Sequence, residues 1–184
     1  MKNIILLDRD GIINKKKREG NYVSKWNEFI FINKNLKGLL LLQNQGYKFI
    51  IITNQAGIGK KILTKKKLQF IHNKMCEYFK VLGLKILKIY FCPHHPNKNC
   101  NCRKPKPGLF YKASYKYKFM LSKTIYIGDD PRDCMAAFNS GCKSILINKQ
   151  KKFFQINNKN KPLAIKNNVL ESINVINKFY KQQQ

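Results

Sequence analysis

Short apolar runs alternate along the chain with longer amphipathic stretches. The apolar runs have the length and composition of strands that are buried on both faces. They predict strands at Ile4–Leu7, Phe49–Thr53, Ile86–Phe91, Thr124–Ile127 and Ser144–Ile147. The stretches between them carry apolar residues at helical spacing and predict helices at Leu36–Gln45, Thr64–Leu82, Gly108–Leu121, Asp130–Gly141 and Val169–Tyr180. Strands separated by helices indicate an α/β fold, a Rossmann-like doubly wound parallel sheet covered on both faces.

The pattern gives no sign of a domain boundary. Residues 1–184 are predicted to form a single domain, with a polar loop at residues 148–161 before a C-terminal helix. The stretches from Asp8 to Thr53 and from Thr53 to Lys104 are too short to insert a large cap domain. We therefore expect an open site at the carboxyl ends of the strands, where ligands bind in such folds.

Composition narrows the class of protein. Hydrophobic residues are 43% of the 184, which supports a folded core and argues against a disordered tail, a fibre or a small disulfide scaffold. No apolar run approaches the roughly 18 residues that span a bilayer. The first apolar run is cut short by Asp8 and does not suit a signal peptide. We expect a cytoplasmic monomer with no membrane partner.

The charge is strongly positive, with 37 basic and 9 acidic residues. Such an excess suggests a nucleic-acid or membrane-surface partner. However, 33 of the basic residues are lysine, spread along the chain without the arginine and aromatic clusters of nucleic-acid readers. We favour a compositional drift over a selected polyanion surface. A basic nucleic-acid-binding module is kept as the alternative from a different class.

The aspartates occupy only two short segments, Asp8 with Asp10 and then Asp129 with Asp130 and Asp133. The first pair directly follows the first predicted strand, and the second group follows the fourth. Polar residues also end the other strands, with Thr53-Asn54-Gln55 after the second and Cys92 after the third. Because the carboxyl ends of parallel strands lie at one edge of a sheet, these side chains are predicted to form one site.

The spacing of Asp8 and Asp10 suits the hydrolysis of a phosphate ester. Asp8 can attack phosphorus, and Asp10 can protonate the leaving oxygen and later activate water. Two nearby anions need a cation, and Asp129 can complete a site of oxygen ligands for Mg²⁺. Three further side chains can contact or neutralise the phosphoryl oxygens: Thr53, Asn54 and Lys104.

A second metal site is predicted in the loop at residues 92–102. Cys92, His94, Cys100 and Cys102 supply the ligand types and number of a closed tetrahedral zinc site. A pair of disulfides is the alternative, and a reducing cytoplasm disfavours it. Buried thiols without a ligand are also disfavoured in a loop rich in Pro, Asn and Lys.

The remaining thiols and imidazoles are assigned no chemistry. Cys76 and Cys134 fall within predicted helices and are expected to be buried in the core. His72 lies in the middle of a predicted helix and is expected at the surface. His95 is expected to be exposed or to support the zinc ligands from outside.

These segments together resemble a known family. Asp8-x-Asp10-Gly11, Thr53-Asn54-Gln55, Lys104 and Gly128-Asp129-x-x-x-Asp133 are similar to the four signature segments of the haloacid dehalogenase-like phosphohydrolases. Cys92-Pro-His94-His95-Pro, followed by Cys100-Asn-Cys102-Arg103-Lys104-Pro, resembles the branch that contains histidinol-phosphate and heptose-bisphosphate phosphatases. The resemblance covers roughly residues 3 to 147.

The resemblance implies that Asp8 forms an aspartyl-phosphate and that Asp10 is the general acid and base. It implies Mg²⁺ bound by Asp8, by the backbone carbonyl of Asp10 and by Asp129, and we add Asp130 as a candidate ligand. Thr53, Arg103 and Lys104 complete the implied catalytic set, and Asp133 either supports the metal or caps a helix. The implied substrate-binding residues are Asp8, Arg9, Asp10, Glu19, Gly20, Asn21, Tyr22, Thr53, Asn54, Gln55, Ala56, Arg103, Lys104 and Asp130.

The implied activity is Mg²⁺-dependent removal of the 7-phosphate from D-glycero-D-manno-heptose 1,7-bisphosphate, a small phosphorylated sugar. Histidinol-phosphate phosphatase is the first alternative, although that branch tends to carry Asp where this chain has Ala56. A polynucleotide 3′-phosphatase is favoured only by the charge. The run Lys60-Lys61-Ile62-Leu63 departs from the small and aromatic residues usual in the branch.

Overall fold

In a computed structural model, residues 3–18, 20–148 and 158–183 are described. They form one six-stranded sheet in which every neighbouring pair is parallel. The strands are β1 (Ile4–Leu7), β2 (Lys48–Asn54), β3 (Ile86–Cys92), β4 (Ile125–Gly128), β5 (Lys143–Ile147) and β6 (Ala164–Lys166). Their order is β3-β2-β1-β4-β5-β6, so the order reverses between β1 and β4. The predicted doubly wound sheet is confirmed.

The helices cover both faces of this sheet. They are α1 (Asn33–Asn44), α2 (Lys65–Leu82), α3 (Gly108–Tyr117), α4 (Pro131–Ser140) and α5 (Ile173–Lys181). The predicted limits of α2 are confirmed, because the Thr64 hydroxyl accepts from the Lys67 amide at its start and Gly83 takes a left-handed conformation at its end. Short 3₁₀ turns lie at Trp26–Glu28, Leu121–Lys123, Asn158–Asn160 and Leu170–Ser172.

Several predicted limits were wrong. Helix α1 begins three residues before the predicted start, and α3 ends at Tyr117 rather than Leu121 because Lys118 takes a left-handed conformation with φ of 53°. The segment Val169–Tyr180 divides into a 3₁₀ turn and α5. The short edge strand β6 was missed, since three residues give no recognisable apolar run. Most of the predicted loop 148–161 lies outside the described residues.

Alternation along the central strands separates the core into two layers. Ile5 and Leu7 of β1 point to the face covered by α1, α2 and α5, whereas Ile4 and Leu6 point to the face covered by α3 and α4. All four are fully buried, as expected for a parallel sheet with helices on both sides. No helix in the described ranges is long and apolar enough to cross a membrane.

Two side chains of α2 were placed wrongly by the sequence analysis. Cys76 is exposed rather than buried, whereas Cys134 of α4 is buried as predicted. His72 is buried, not at the surface. It lies four residues after the buried Leu68, so it falls on the inner face of the helix with Met75.

Both edges of the sheet differ from its interior. Strand β3 forms one edge and exposes Leu87 and Lys88, whereas β6 forms the other edge with only three residues. The strands between them are largely buried, and the polar residues that matter for function follow the inner strands at their carboxyl ends.

Candidate active site

Asp8 leaves the carboxyl end of β1 and forms a buried ion pair with Lys104. Its Oδ2 lies 2.9 Å from the Lys104 Nζ, and its Oδ1 accepts a hydrogen bond of 2.7 Å from the Arg9 amide. The same ammonium pairs with Asp133 Oδ1 at 2.8 Å and donates to the Tyr126 hydroxyl at 2.6 Å. Lys104 is only 4% exposed, so one buried cation is shared between two carboxylates.

This sharing sets the proton affinities at the site. Burial raises the pKa of Asp8 to about 7, and the attraction of Lys104 only partly offsets the rise. Burial also opposes the charge of Lys104, but Asp133 and Asp8 outweigh it and raise the pKa of the ammonium. Lys104 therefore remains charged, and of this ion pair it is Asp8 that titrates near neutrality.

Asp133 has two roles in the structure. Its Oδ2 accepts from the amides of Asp129 and Asp130 at 3.1 Å each, which completes a capping box at the start of α4. Its other oxygen holds Lys104. The two sequence-based alternatives for Asp133 were helix capping and support of a metal. The capping is confirmed, and the contact with Lys104 was not anticipated.

Asp129 follows β4 and lies beside Asp8 across the point where the strand order reverses. Carboxylate oxygens of Asp8, Asp129 and Asp133 all lie within 4.8 Å of one another. Asp129 Oδ1 is buried and has no hydrogen-bond partner among the described residues. Gly11 takes φ of +88° against Asp129, and a Cβ there would overlap its carboxylate. A cluster of oxygen ligands with one unsatisfied buried oxygen fits Mg²⁺.

Asp130 lies outside this cluster. Its Oδ1 accepts from the Arg132 amide at 3.0 Å, its Oδ2 pairs with the Arg132 guanidinium at 2.8 Å, and Lys16 Nζ lies 3.1 Å away. Burial opposes ionisation, but the hydrogen bonds from Arg132 lower the pKa of Asp130. Its carboxylate therefore caps α4, and the predicted roles in metal and substrate binding stay predictions.

Lys16 also contacts the carboxylate cluster, and no pattern in the sequence indicates this contact. Its Nζ lies 3.1 Å from Asp129 Oδ2, and its side chain is 44% exposed. Burial raises the pKa of Asp129 to about 6, with the charge of Asp133 adding to the rise and Lys16 opposing it. A surface lysine thus partly neutralises the carboxylate that is expected to bind metal.

The carboxylate of Asp10 is held by three side chains. Arg9 Nη2 donates to both of its oxygens at 2.9 Å, Asn14 Nδ2 donates at 2.8 Å and Gln55 Nε2 donates at 2.9 Å. Burial alone would raise the pKa of Asp10, but Arg9 and these hydrogen bonds outweigh it and lower the pKa. Arg9, predicted as a substrate ligand, is itself buried and bonded to Asp10 and His72.

Asn54 contacts Lys104 rather than pointing freely into the site. Its Oδ1 accepts from the Lys104 amide at 3.0 Å, and its Nδ2 donates to the Lys104 carbonyl at 3.1 Å. The end of β2 therefore fixes the backbone of the residue whose ammonium pairs with Asp8. Thr53 Oγ1 accepts from Gln55 Nε2 at 2.9 Å and also lines the cavity.

A cavity of about 550 Å³ opens above these groups. Of the predicted substrate residues, Gln55 is not part of its wall, and Glu19 lies outside the described residues. Lys60 lies over the Tyr22 ring at 5.6 Å, in the segment that departs from the branch. The predicted residues that line the cavity are Asp8, Arg9, Asp10, Gly20, Asn21, Tyr22, Thr53, Asn54, Ala56, Arg103, Lys104 and Asp130.

The four predicted zinc ligands lie together at the end of β3 and in the loop that follows it. Cys92 Sγ is 3.6 Å from His94 Nδ1 and 3.7 Å from Cys100 Sγ, and Cys102 Sγ is 3.2 Å from His94 Nδ1 and 3.6 Å from Cys100 Sγ. Tetrahedral bonds to zinc of about 2.3 Å for sulfur and 2.0 Å for nitrogen would separate these atoms by about 3.5–3.8 Å. The donor set and its spacing fit zinc.

The zinc loop packs directly against the loop after β2. A Cβ on Gly59 would overlap the backbone of His94 and His95, so a larger residue would separate the two loops. The amide of Gln55 also donates to the Cys92 carbonyl at 2.8 Å. Arg103 and Lys104 directly follow the last cysteine, so the position of the loop affects two of the cations that line the cavity.

The sheet and its buried Asp8–Lys104 pair are those of a haloacid dehalogenase-like phosphatase. Residues 3–160 match the family described as polynucleotide kinase 3 phosphatase, and the chain belongs to this family.

Two named relatives and one solved structure are similar over most of the chain. A D-glycero-alpha-D-manno-heptose-1,7-bisphosphate 7-phosphatase of Photorhabdus laumondii is 38% identical over 75% of this chain and 78% of its own. A D-glycero-beta-D-manno-heptose-1,7-bisphosphate 7-phosphatase of Helicobacter pylori is 39% identical over 78% of this chain and 82% of its own. The D,D-heptose 1,7-bisphosphate phosphatase of B. bronchiseptica, solved with magnesium and phosphate, superposes with a TM-score of 0.81 at 26% identity over 99% of both chains.

Proposed function

We propose that this chain is a Mg²⁺-dependent phosphatase that removes the 7-phosphate of D-glycero-D-manno-heptose 1,7-bisphosphate. The observation that carries the proposal is the Asp8–Lys104 pair at the floor of a cavity lined by cations. A carboxylate beside a buried ammonium is suited to attack a phosphoryl group whose charge the ammonium neutralises. The names of the relatives support the choice of sugar.

In the first step, Asp8 attacks phosphorus and the bond from phosphorus to the sugar oxygen breaks. Asp10 gives its proton to that oxygen, so the products are the sugar alcohol and an aspartyl-phosphate on Asp8. In the second step, Asp10 takes a proton from water, which attacks phosphorus and releases Asp8 with inorganic phosphate. Asp10 is held as a carboxylate in the free protein, so the first step requires it to gain a proton as the phosphate enters.

The residues proposed to hold Mg²⁺ are Asp8, Asp129 and the backbone carbonyl of Asp10. Bound there, the ion would neutralise charge on the phosphoryl oxygens. Lys104 and Thr53 contribute to the same stabilisation from the protein side. Asp133 keeps the ammonium of Lys104 beside Asp8.

A bisphosphate suits the charges around the cavity. Beyond Lys104, its wall carries six basic residues outside the Arg9–Asp10 pair: Lys16, Lys17, Arg18, Lys60, Arg103 and Arg132. One phosphate at Asp8 leaves the second to be bound by cations further out, and we assign Arg103 to that contact. Tyr22 lies on the same wall and is proposed to contact the sugar.

We propose that the metal in the loop is zinc, with four side chains as its ligands: Cys92, His94, Cys100 and Cys102. The loop at residues 92–102 is poor in apolar side chains and has little core of its own, so we propose that the bound metal orders it. Its contribution to the reaction is indirect, through the placement of Arg103 and Lys104.

Phosphate release from a panel of substrates tests the proposed function. The panel contains the α and β anomers of heptose 1,7-bisphosphate, fructose 1,6-bisphosphate, histidinol phosphate and a 3′-phosphorylated oligonucleotide. We expect the largest kcat/KM with a heptose bisphosphate, dependence on Mg²⁺, and no release by Asp8→Asn. A preference for histidinol phosphate or the oligonucleotide would replace the proposed substrate, and steeply salt-dependent DNA binding without phosphate release would indicate a binding module instead.

A further inference from the structure

Arg9 is a buried arginine that contacts two side chains from different parts of the chain. It is 1% exposed, and its guanidinium lies over the Phe29 ring, 5.6 Å from the centroid. Its Nη2 donates to both oxygens of Asp10, and its Nη1 lies 3.0 Å from Nε2 of His72, which is 63 residues away in sequence. Nothing in the proposed reaction so far uses His72.

The chemistry of this contact fixes the state of the imidazole. A guanidinium has five N–H donors and no acceptor, so Arg9 must donate and His72 Nε2 must accept. His72 is therefore neutral, with its proton on Nδ1. Burial and the adjacent charge of Arg9 both lower the pKa of His72, to about 3, which agrees with this assignment.

The imidazole is packed in a buried part of the fold. His72 lies on the inner face of α2 and is 2% exposed. Its ring packs edge-on against Phe91 of β3, with centroids 6.0 Å apart. Arg9 thus lies between a helix fixed by its core contacts and the carboxylate of Asp10.

Removing the acceptor would leave Arg9 poorly satisfied. Its Nε already has no hydrogen-bond partner among the described residues. Loss of the His72 acceptor would leave Nη1 of the same buried cation without this partner as well. An unsatisfied buried donor is costly, so the guanidinium would be expected to move toward another acceptor. Because Arg9 donates to both oxygens of Asp10, such a movement would disturb both bonds and leave the carboxylate to be oriented by Asn14 and Gln55.

We propose that His72 is a positioning residue, which acts through Arg9 to hold the Asp10 carboxylate where it exchanges a proton with the leaving oxygen. This inference rests on the proposed function only in needing Asp10 to act as general acid. It does not depend on the identity of the sugar.

The test compares leaving groups. A p-nitrophenolate leaves without a proton, whereas a sugar alkoxide needs one. In a mechanism with a phosphoenzyme, kcat/KM reports only the steps up to release of the first product. For a sugar phosphate, we expect His72→Leu to lower kcat/KM at least about tenfold, which is a fraction of the 10²–10⁴-fold contribution of general acid catalysis. For p-nitrophenyl phosphate, we expect the same variant to change kcat/KM less than about threefold.

Two further variants separate positioning from a loss of folding. His72→Gln keeps an acceptor oxygen, and we expect it to recover most of the sugar-phosphate activity. Met75→Leu perturbs the same helix face and keeps the hydrogen bond between His72 and Arg9, so it should leave the ratio between the two substrates unchanged. If His72→Leu does not fold, His72→Phe replaces it, because the ring fills the space and offers no acceptor.

Combining His72→Leu with Asp10→Asn tests whether the two residues act on the same step. In Asp10→Asn, the His72→Leu change should add little further loss with the sugar phosphate, since both act on one group. Equal losses for both substrates, a His72→Gln variant as impaired as His72→Leu, or a full additional loss in the Asp10→Asn background would each overturn the inference. Should the substrate panel reject heptose bisphosphate but accept other sugar phosphates, these measurements remain valid with that substrate.

Discussion

The carboxylate site and the zinc loop obtain their geometry in different ways. The carboxylates come from the ends of β1 and β4 and from α4. Buried ion pairs with Lys104 hold Asp8 and Asp133, and Lys16 pairs with Asp129. The ligands of the zinc loop all lie within eleven consecutive residues and three of them are partly exposed. The first site is shaped by side chains from several strand ends, whereas the second joins the sheet only through Cys92 and packs against the loop after β2.

Lys104 is where the two regions meet. Asn54 at the end of β2 holds its backbone from the sheet side, and Cys102 precedes it by two residues on the zinc side. The ammonium is therefore supported from both regions. Changes in the carboxylates should alter the reaction without altering the loop, and changes in the cysteines should do both.

The largest expected effect is that of Asp8→Asn. The variant loses the proposed nucleophile and a metal ligand together, so we expect kcat to fall at least about a thousandfold. Phosphate release measures the loss, and elemental analysis should show an unchanged zinc content. Turnover near that of the unchanged protein would exclude the aspartyl-phosphate mechanism.

Cys100→Ser should affect both regions. Loss of one ligand should lower zinc content and thermal stability, and misplacement of Lys104 should reduce turnover by about 10–100-fold, as for changes that disturb the support of a metal site. Zinc is measured on protein purified without added metal, with Cys76→Ser, an exposed thiol outside the loop, as the matched control. A variant without zinc that keeps its turnover would separate the loop from Lys104.

Mg²⁺ binding at the carboxylate site should depend on pH. The raised pKa values of Asp8, about 7, and Asp129, about 6, mean that the metal must displace protons below neutrality. Apparent Mg²⁺ affinity should therefore fall as pH drops below 7, by about tenfold per pH unit for each proton displaced. Titration calorimetry between about pH 5 and pH 8, one unit either side of these pKa values, provides the measurement.

Stability should change with pH in the opposite sense. A carboxyl whose pKa is raised on folding binds its proton more tightly in the folded state. In metal-free protein, the contribution of Asp8 to stability is therefore present below pH 3.8, the ordinary pKa of an aspartate. This contribution is lost as the pH rises toward about 7, the pKa of Asp8 in the folded protein. Thermal melts with and without Mg²⁺ should diverge as pH increases, and parallel curves would contradict the assignment of Asp8 as a ligand.

Lys16→Met should have the smallest effect. The ammonium pairs with Asp129 in a partly exposed position, and such pairs contribute roughly 0.2–1 kcal/mol. Removing it should therefore tighten Mg²⁺ binding by no more than about fivefold, as measured by calorimetry. Lys17→Met is the matched control, because Lys17 pairs with Glu28 instead. Weaker Mg²⁺ binding in Lys16→Met would show that the lysine does not compete for Asp129.

Most of the sheet could be predicted because each inner strand is a continuous apolar run. The carboxylates could be singled out because aspartate is rare in this chain, and they follow two strands that the topology makes neighbours. The partners of those carboxylates could not be predicted in the same way. Tyr126 reaches Lys104 from inside an apolar strand, and His72 reaches Arg9 through a contact that only the folded chain creates.

One signal for His72 was nevertheless present in the sequence. A polar residue four positions after Leu68 on an otherwise apolar helix face is buried with that face, and burial requires a partner. The hydrogen-bond partner of His72 could not be predicted from the sequence, since Arg9 was expected to face the substrate. Local spacing therefore predicts that a side chain is buried, whereas its hydrogen-bond partner depends on contacts across the sheet.

The exposed edge of the sheet bears on pairing between strands of different molecules. Among the described residues, strand β3 pairs with β2 on one side and with no strand on the other, along the run Ile86-Leu87-Lys88-Ile89-Tyr90-Phe91. The Tyr117 hydroxyl donates to the Leu87 carbonyl of this strand. Exposed Lys88 is the only charge in that run, and a charged side chain on an edge strand opposes pairing with a strand from another molecule. Without it, six consecutive apolar residues would form the kind of edge that seeds aggregates. One lysine of this lysine-rich chain thus disfavours intermolecular pairing at the one long edge strand in the described part of the sheet. This effect is separate from the binding of phosphate.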